Sequence, residues 1–420
     1  MSLAQFTVYK LKGKKQEKKE GMKPFSFVHA ADLHLGYAQY NLDVRRNDFN
    51  NAFAEVVDKT IQLNPDFMII AGDIFEQARP TNSTLEVAIA NFRRLKDAGI
   101  PVLAVDGSHD SAPNAVTGTI LNPLDSAGLV WYLPRHEGAC WKNENCYVYG
   151  IPNFRTPRRT QEELPKFLEK YKPAPDPSLF NILVFHMGLD IPAVKPPKME
   201  AEASPENLPE GFDYYAGGHI HKPYNSRFKK GIIAYSGGTE TASYDEAKTK
   251  KGFYHVHVNK TGKPKIERIS LETPRKFVIL EQTYTGLTPA KITEALIQLV
   301  KDNDEQGAIV VPVIKGVLPA ETTRGEIDLA KVRKTGEKAL LVHPIVRLRE
   351  TELSEHIIKS IFGNDMKDLT TKAYEYFFEI FSENYKREES EKIARLAVDL
   401  ISPLVAKQET KVKEKLEEFL

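Results

Sequence analysis

The chain has 420 residues, 58 Lys and Arg against 57 Asp and Glu, a net charge of +1, and two cysteines. That length exceeds a single compact core and implies two or three domains. The balanced charge excludes nucleic-acid binding by bulk charge, so such a surface must come from local clustering; no apolar run is long enough to cross a bilayer; and Cys140 and Cys146, outside any CxxC pair, read as packing thiols of a cytoplasmic protein.

Residues 1–22 read as a flexible basic tail, with Lys10, Lys12, Lys14, Lys15, Lys18 and Lys19. A first domain, 23–265, opens with alternating strands and helices. Phe25–Ala31 is an apolar strand ending at Asp32, and Asn47–Leu63 carries Phe49, Phe53, Val57 and Ile61 at helical spacing. Phe67–Ala71 is a buried strand ending at Gly72-Asp73. Thr81, Asn82 and Ser83 offer N-caps for a helix through Asp97 with Leu85, Ile89 and Phe92 on one face. Pro101–Val105 is a third strand. This order implies parallel strands with helical crossovers. Further on, Cys146–Ile151, Asn181–Phe185, Tyr214–Ala216, Gly231–Tyr235 and Gly252–Val258 read as strands, with one helix near Gln161–Lys170. Two mixed sheets flanked by helices fit this pattern. A second domain, 274–350, alternates strands (Phe277–Thr283, Ala308–Ile314, Leu340–Leu348) with helices (Lys291–Lys301, Ile327–Lys334). Residues 351–420 are helical and charged.

Five short motifs fall at or just past strand ends: Asp32-Leu33-His34, Gly72-Asp73, Gly107-Ser108-His109-Asp110, His186, and Gly218-His219-Ile220-His221. In open α/β sheets that edge is where ligands bind. Carboxylates and imidazoles gathered there are costly unless something compensates them. A divalent transition metal does so, since mixed carboxylate and imidazole ligands suit manganese, iron or zinc. One His after a strand is ordinarily a structural residue, and His255 and His257, mid-strand without acidic companions, are read that way. Five such motifs in one setting point to a metal centre.

The order D-x-H, G-D, G-[N]-H-[DE], H, G-H-x-H resembles that of the calcineurin-like metallophosphoesterase superfamily. The wording around it, His29-Ala30-Ala31-Asp32-Leu33-His34-Leu35-Gly36, Ala71-Gly72-Asp73-Ile74-Phe75, Gly217-Gly218-His219-Ile220-His221-Lys222, Tyr235-Ser236-Gly237-Gly238-Thr239-Glu240 and Lys251-Gly252-Phe253, is similar to the SbcD-like repair nucleases, on their archaeal branch. The resemblance covers roughly residues 25–260. It implies a four-layer sandwich and a manganese-dependent nuclease, exo- and endonucleolytic, that hydrolyses phosphodiesters at DNA double-strand breaks. Two manganese ions are implied: the first on Asp32, His34, Asp73 and His221, the second on Asp73, Ser108, His186 and His219, with Asp73 bridging. His109 is the implied general acid, with Asp110 orienting it. Ser108 departs from the family's Asn, and a hydroxyl reaches less far than an amide oxygen, so the second position is expected to be weaker.

Arg45, Arg46, Arg79 and Lys222, placed in loops near the motifs, are candidate phosphate contacts, and Tyr37 a candidate sugar or base contact. By resemblance, 274–350 is a capping domain that helps hold DNA. The C-terminal stripes containing Tyr376, Phe377, Ile380 and Phe381, and Leu396 and Leu400, are amphipathic. Such helices pack on their own chain or, as the resemblance implies, dock on an SMC-like ATPase of the SbcC type. A homodimer through Ser83–Leu95 and the segment 116–124 is also implied. Two further readings stand beside the nuclease: a metallophosphoesterase for a small phosphoester, and a catalytically weakened scaffold that binds DNA ends.

Overall fold

The computed structural model describes residues 22–111, 118–196, 199–319, 322–349, 366–382, 385–405, 409–417 and 419. The basic tail up to residue 21, Val116 and Thr117 of the expected dimer segment, and 351–365 lie outside the described residues. The chain divides into two compact units, 1–278 and 279–420.

In the first unit, β1 (Phe25–Ala30), β2 (Phe67–Ala71), β3 (Val102–Val105) and β4 (Trp131–Tyr132) lie parallel in that order. The strands β11 (Gly252–Val258) and β12 (Pro264–Ser270) continue the sheet antiparallel beyond β1. The second sheet has the order β5-β6-β7-β8-β10-β9. Its parallel centre is β6 (Cys146–Gly150), β7 (Phe180–His186), β8 (Tyr214–Gly218) and β10 (Gly231–Tyr235). Its edges are β5 (Cys140–Lys142) and β9 (Tyr224–Phe228), both antiparallel. The sheets face each other across a layer built by Phe27, Phe67 and Leu103 from one and Val148, Phe180, Val184 and Tyr214 from the other.

Helices α1 (Asp43–Leu63), α2 (Asn82–Asp97) and the short α3 (Leu121–Ser126) cover the outer face of the first sheet, burying Phe53, Phe92 and Leu121 against Met68 and Ile70. Helix α4 (Pro157–Lys170) covers the second sheet with Leu164. The order is therefore helix, sheet, sheet, helix. Continuous apolar runs such as Phe67–Ala71 are what a parallel strand covered on both faces requires. The helix ends follow local rules: the Thr81 hydroxyl accepts the Thr84 N–H, Arg94 and Lys96 sit in the last turn of α2, and Asn64 closes α1 in the left-handed region.

Strands β9 and β12 escaped the sequence reading. They are edge strands whose burial alternates and whose exposed positions are charged or polar, the pattern that keeps an edge from pairing further. Helix α1 begins at Asp43 rather than Asn47, which moves Arg45 and Arg46 out of the expected loop and into the helix.

The second unit holds a sheet in which β14 (Ile309–Val317) is flanked by β13 (Phe277–Thr285), β15 (Leu341–Val342) and β16 (Ile345–Arg349). Helix α5 (Pro289–Asp302) packs with β14 and buries Ile292, Leu296 and Val300. The expected single strand 340–348 is two, both parallel to β14. Pro344 lies between them, and a residue without an N–H cannot continue the ladder. The expected helix 327–334 shrinks to α6 (Leu329–Arg333). Among the described residues three C-terminal helices follow, α7 (Met366–Ser382), α8 (Arg387–Val405) and α9 (Glu409–Glu417); α7 packs on α8, and α8 on α9. Among the described residues no helix is long and apolar enough to cross a membrane.

Candidate metal centre

The site lies along the seam of the two sheets, at the carboxyl ends of their parallel strands. The first sheet delivers Asp32 and His34 after β1, Asp73 after β2, and Ser108 and His109 after β3; the second delivers His186 at the end of β7 and His219 and His221 after β8. Asp32, His34, Asp73 and His219 all have positive φ, from 47° to 86°. That region is uncommon for residues with a side chain, and its concentration here marks a backbone bent to aim side chains inward. Two glycines make the turns possible. Gly72 is at φ 83°, and a Cβ there would lie 2.4 Å from His186 Nδ1. At Gly107 a Cβ would lie 2.1 Å from Asp73 Oδ1.

The imidazoles are held from behind. His34 Nδ1 pairs with Glu76 Oε2 at 2.8 Å, His221 Nδ1 with Glu246 Oε1 at 2.8 Å, and His186 Nδ1 with the Ala71 carbonyl at 2.8 Å. Each acceptor requires the hydrogen on Nδ1, which leaves a lone pair on Nε2 of each neutral ring. Those lone pairs point at one another and at carboxylates. His34 Nε2 faces His221 Nε2 at 3.2 Å. His186 Nε2 stands 3.1 Å from Asp73 Oδ2 and has no hydrogen-bond partner among the described residues, nor does the buried Asp32 Oδ2. Asp73 Oδ2 is also 3.9 Å from His34 Nε2, and Asp32 Oδ1 3.8 Å from His221 Nε2. Lone pairs and carboxylate oxygens so arranged repel unless positive charge sits among them. This donor set fits divalent metal ions. Ligand atoms of Asp32, His34 and His221 form one close group, and those of Asp32, Asp73 and His186 another.

Without a metal ion, protons supply part of the positive charge that the carboxylates call for. Burial raises the Asp73 carboxyl, but His186, His34 and His109 outweigh it and hold it well below the usual range. Burial lowers His186, but Asp73 and Asp32 outweigh it and push the ring up to about 10. Burial and then the neighbouring His186 lower His219. Glu246 is opposed by burial, yet His221 and Lys251 bring it down to about 2.

His109 is placed differently. Its ring stacks edge-on against His34 at 5.0 Å, and its Nδ1 donates to the Glu76 carbonyl at 2.9 Å. Its side chain is 41% exposed, so Nε2 is the nitrogen that can meet a substrate. Its backbone N–H donates to Asp73 Oδ1 at 2.9 Å, which ties the loop to the centre. Ser108 is half-buried beside it.

Several expected roles need correction. Asp110 does not orient the His109 ring. It is fully buried and accepts the N–H groups of Gly107, Ile74 and Phe75 at 2.9, 3.2 and 2.8 Å, so it fastens the loops after β2 and β3 together. Burial, and then the Asp73 charge, push it up to about 7. Arg45 is 0% exposed and cannot meet phosphate; it is held by Asp48 at 2.6 Å, Glu240 at 3.3 Å, Gln39 and the Thr241 carbonyl. Arg46 lies on α1 rather than in a loop and pairs with Asp43 at 2.6 Å. Tyr37 is half-buried, its ring 5.3 Å from that of Phe49. Together with Arg46 and Glu76 it lines a cavity of about 260 Å³ next to the centre. Arg79 and Lys222 are exposed. The residues that sequence reasoning missed are Glu76 and Glu246. Glu76 sits three positions after Asp73, a spacing that offered a clue; Glu246 ends a short 3-10 helix, Tyr244–Glu246, far along the chain from every motif.

The calcineurin-like phosphoesterase family matches residues 25–223. Archaeal proteins named DNA double-strand break repair protein Mre11 align over a longer stretch. The protein of Methanococcus maripaludis is 34% identical over 242 residues, 54% of this chain and 62% of that one. The protein of Methanocaldococcus jannaschii is 32% identical over 265 residues, 60% of this chain and 68% of that one. The chain belongs to the Mre11 group of calcineurin-like phosphoesterases. A third relative, from Saccharolobus solfataricus, is 26% identical across 85% of this chain and 91% of its own. The first match spans less than two thirds of the Methanococcus maripaludis Mre11. Expected site residues from Asp32 to His221 all lie within the span matched to the phosphoesterase family.

Proposed function

We propose that this Mre11-group chain is a two-metal phosphodiesterase that cuts DNA at double-strand breaks. The observation that carries the reading is the inward lone pairs of His34, His186 and His221, fixed by acceptors behind each ring and converging with Asp32 and Asp73. Asp32, His34, Asp73 and His221 would hold one manganese ion, and Asp73, Ser108, His186 and His219 the other. When bound, the pair would supply a clamp on the phosphodiester and activation of an attacking water. Asp73 offers its two oxygens to different tasks: Oδ1 takes the His109 N–H, while Oδ2 faces the rings of both groups. His109, its Nδ1 held by the Glu76 carbonyl, presents Nε2 to protonate the departing sugar oxygen. The exposed Lys222 and Arg79 give phosphate contacts without reading sequence.

The relatives, named DNA double-strand break repair proteins, support the substrate class; an SMC-like ATPase docked on the C-terminal helices and a homodimer complete the reading. The deciding experiment is cleavage of end-labelled duplex DNA by the full chain with manganese, with and without chelator. Chelator-sensitive cleavage is expected. Turnover of a small chromogenic phosphodiester without any cleavage of DNA would overturn the substrate class.

A further inference from the structure

The two cation positions are not built alike. Around the first, both imidazoles lean on carboxylates: His34 on Glu76 and His221 on Glu246, each at 2.8 Å. An anionic acceptor behind a ring makes the opposite nitrogen a better donor and fixes the ring plane. Glu246 is itself anchored. Its Oε2 takes the Lys251 ammonium at 2.6 Å, and the Lys251 side chain is 2% exposed. The same oxygen lies 3.4 Å from the Ala242 N–H.

Around the second position the supports are weaker. His186 leans on a neutral carbonyl, that of Ala71. His219 Nε2 is 4.0 Å from the nearest oxygen of Glu202, and that oxygen is committed to the Gly188 N–H at 2.7 Å. Ser108 adds only a hydroxyl.

We infer that Glu246, braced by Lys251, and Glu76 are positioning residues that make the site of Asp32, His34 and His221 the tighter of the two. The inference rests on the metal-centre reading above. It implies an order of filling: at limiting manganese the position of Asp32, His34 and His221 would fill before the other.

The test is manganese titration of the full chain by calorimetry. Wild type should show two classes of binding. Glu246→Gln keeps the side chain's shape and removes its charge; it should weaken the tight class by roughly 10–100-fold and leave the weak class unmoved. Glu76→Gln should act on the same class, and Lys251→Met on it by less. Glu202→Gln, as comparator, should leave the tight class alone. Thermal melting of the metal-free variants beside wild type keeps a folding defect from passing as a binding one; should Glu246→Gln fail to fold, Glu76→Gln alone decides. Loss from the weak class instead, or no loss in either, would overturn the inference and leave the metal centre standing. A wild-type chain that takes up no manganese would remove the metal centre itself.

Discussion

The His109 ring is held by the Glu76 carbonyl and lies edge-on to His34, and it is partly open to solvent. As the proposed general acid it would be separable from binding. His109→Ser is expected to keep manganese affinity while turnover falls by about 10²–10⁴-fold; single-turnover cleavage beside metal titration checks both halves, and near-normal cleavage would remove the role. Ser108, one residue earlier, is the weak member of the proposed second set. Its neighbours Gly107 and His109 both press on Asp73, so the loop has little freedom to bring a short hydroxyl closer. Ser108→Asn should tighten the second manganese and raise activity at low metal, read from cleavage rate against manganese concentration. At this scale the sequence told much. That Asp32, His34, Asp73, His186, His219 and His221 converge was legible, because each ends or follows a strand. Arg45 was not, because a loop reading put it outside the helix, where Asp48 three residues on and the distant Glu240 hold its guanidinium. Asp110 was misread because its partners are backbone N–H groups, which leave no trace in composition.

The layer between the sheets buries a histidine that the chemistry does not use. His29, near the end of β1, is wholly buried; its Nδ1 pairs with the Tyr214 hydroxyl at 2.9 Å and its Nε2 has no hydrogen-bond partner among the described residues. Burial lowers it from 6.5 to about 3. The unfolded chain therefore binds a proton that the folded chain refuses, and stability present above pH 6.5 is lost as pH falls toward 3. From pH 7 to pH 5 the loss from this group is about 2 kcal/mol. Denaturant unfolding at the two pH values checks it: His29→Gln should show a shallower decline than wild type, and equal slopes would refute the assignment. Parallel strands were legible as apolar runs, while β9 and β12 were not, since an edge strand carries the charges of a loop.

For the molecule as a whole, the open question is assembly. On α2, Ala88, Phe92 and Leu95 are buried in the sheet-covering core, while Leu85 and Ile89 are only partly covered and line a shallow hollow with Glu86 and Arg93. The face that periodicity could not divide is thus split, with Leu85 and Ile89 left partly uncovered. In the C-terminal helices Ala373 and Ala394 are buried, whereas Tyr376 and Ile380 are exposed and Phe377, Phe381, Leu396 and Leu400 are half-covered. Deleting 367–420 should abolish binding of an SbcC-type ATPase and leave both a homodimer and manganese-dependent cleavage in place. Light scattering and a pull-down with the ATPase check the two halves. A concentration-independent monomer would remove the dimer, and ATPase binding that survives the deletion would remove the dock.

The seam position of the centre carries a consequence for endurance. Asp32 and Asp73 belong to one sheet and His186, His219 and His221 to the other, so no single sheet owns a complete set of ligands. Metal ions shared between them act as rivets, and whatever free energy they gain on binding opposes the parting of the two halves. A ligand that binds only the folded chain stabilises it by about 2.7 kcal/mol at a hundred times its dissociation constant. Manganese should therefore raise the melting temperature and chelator should return it. In the variant His186→Ala, which unfastens one side of the seam, the rise should shrink.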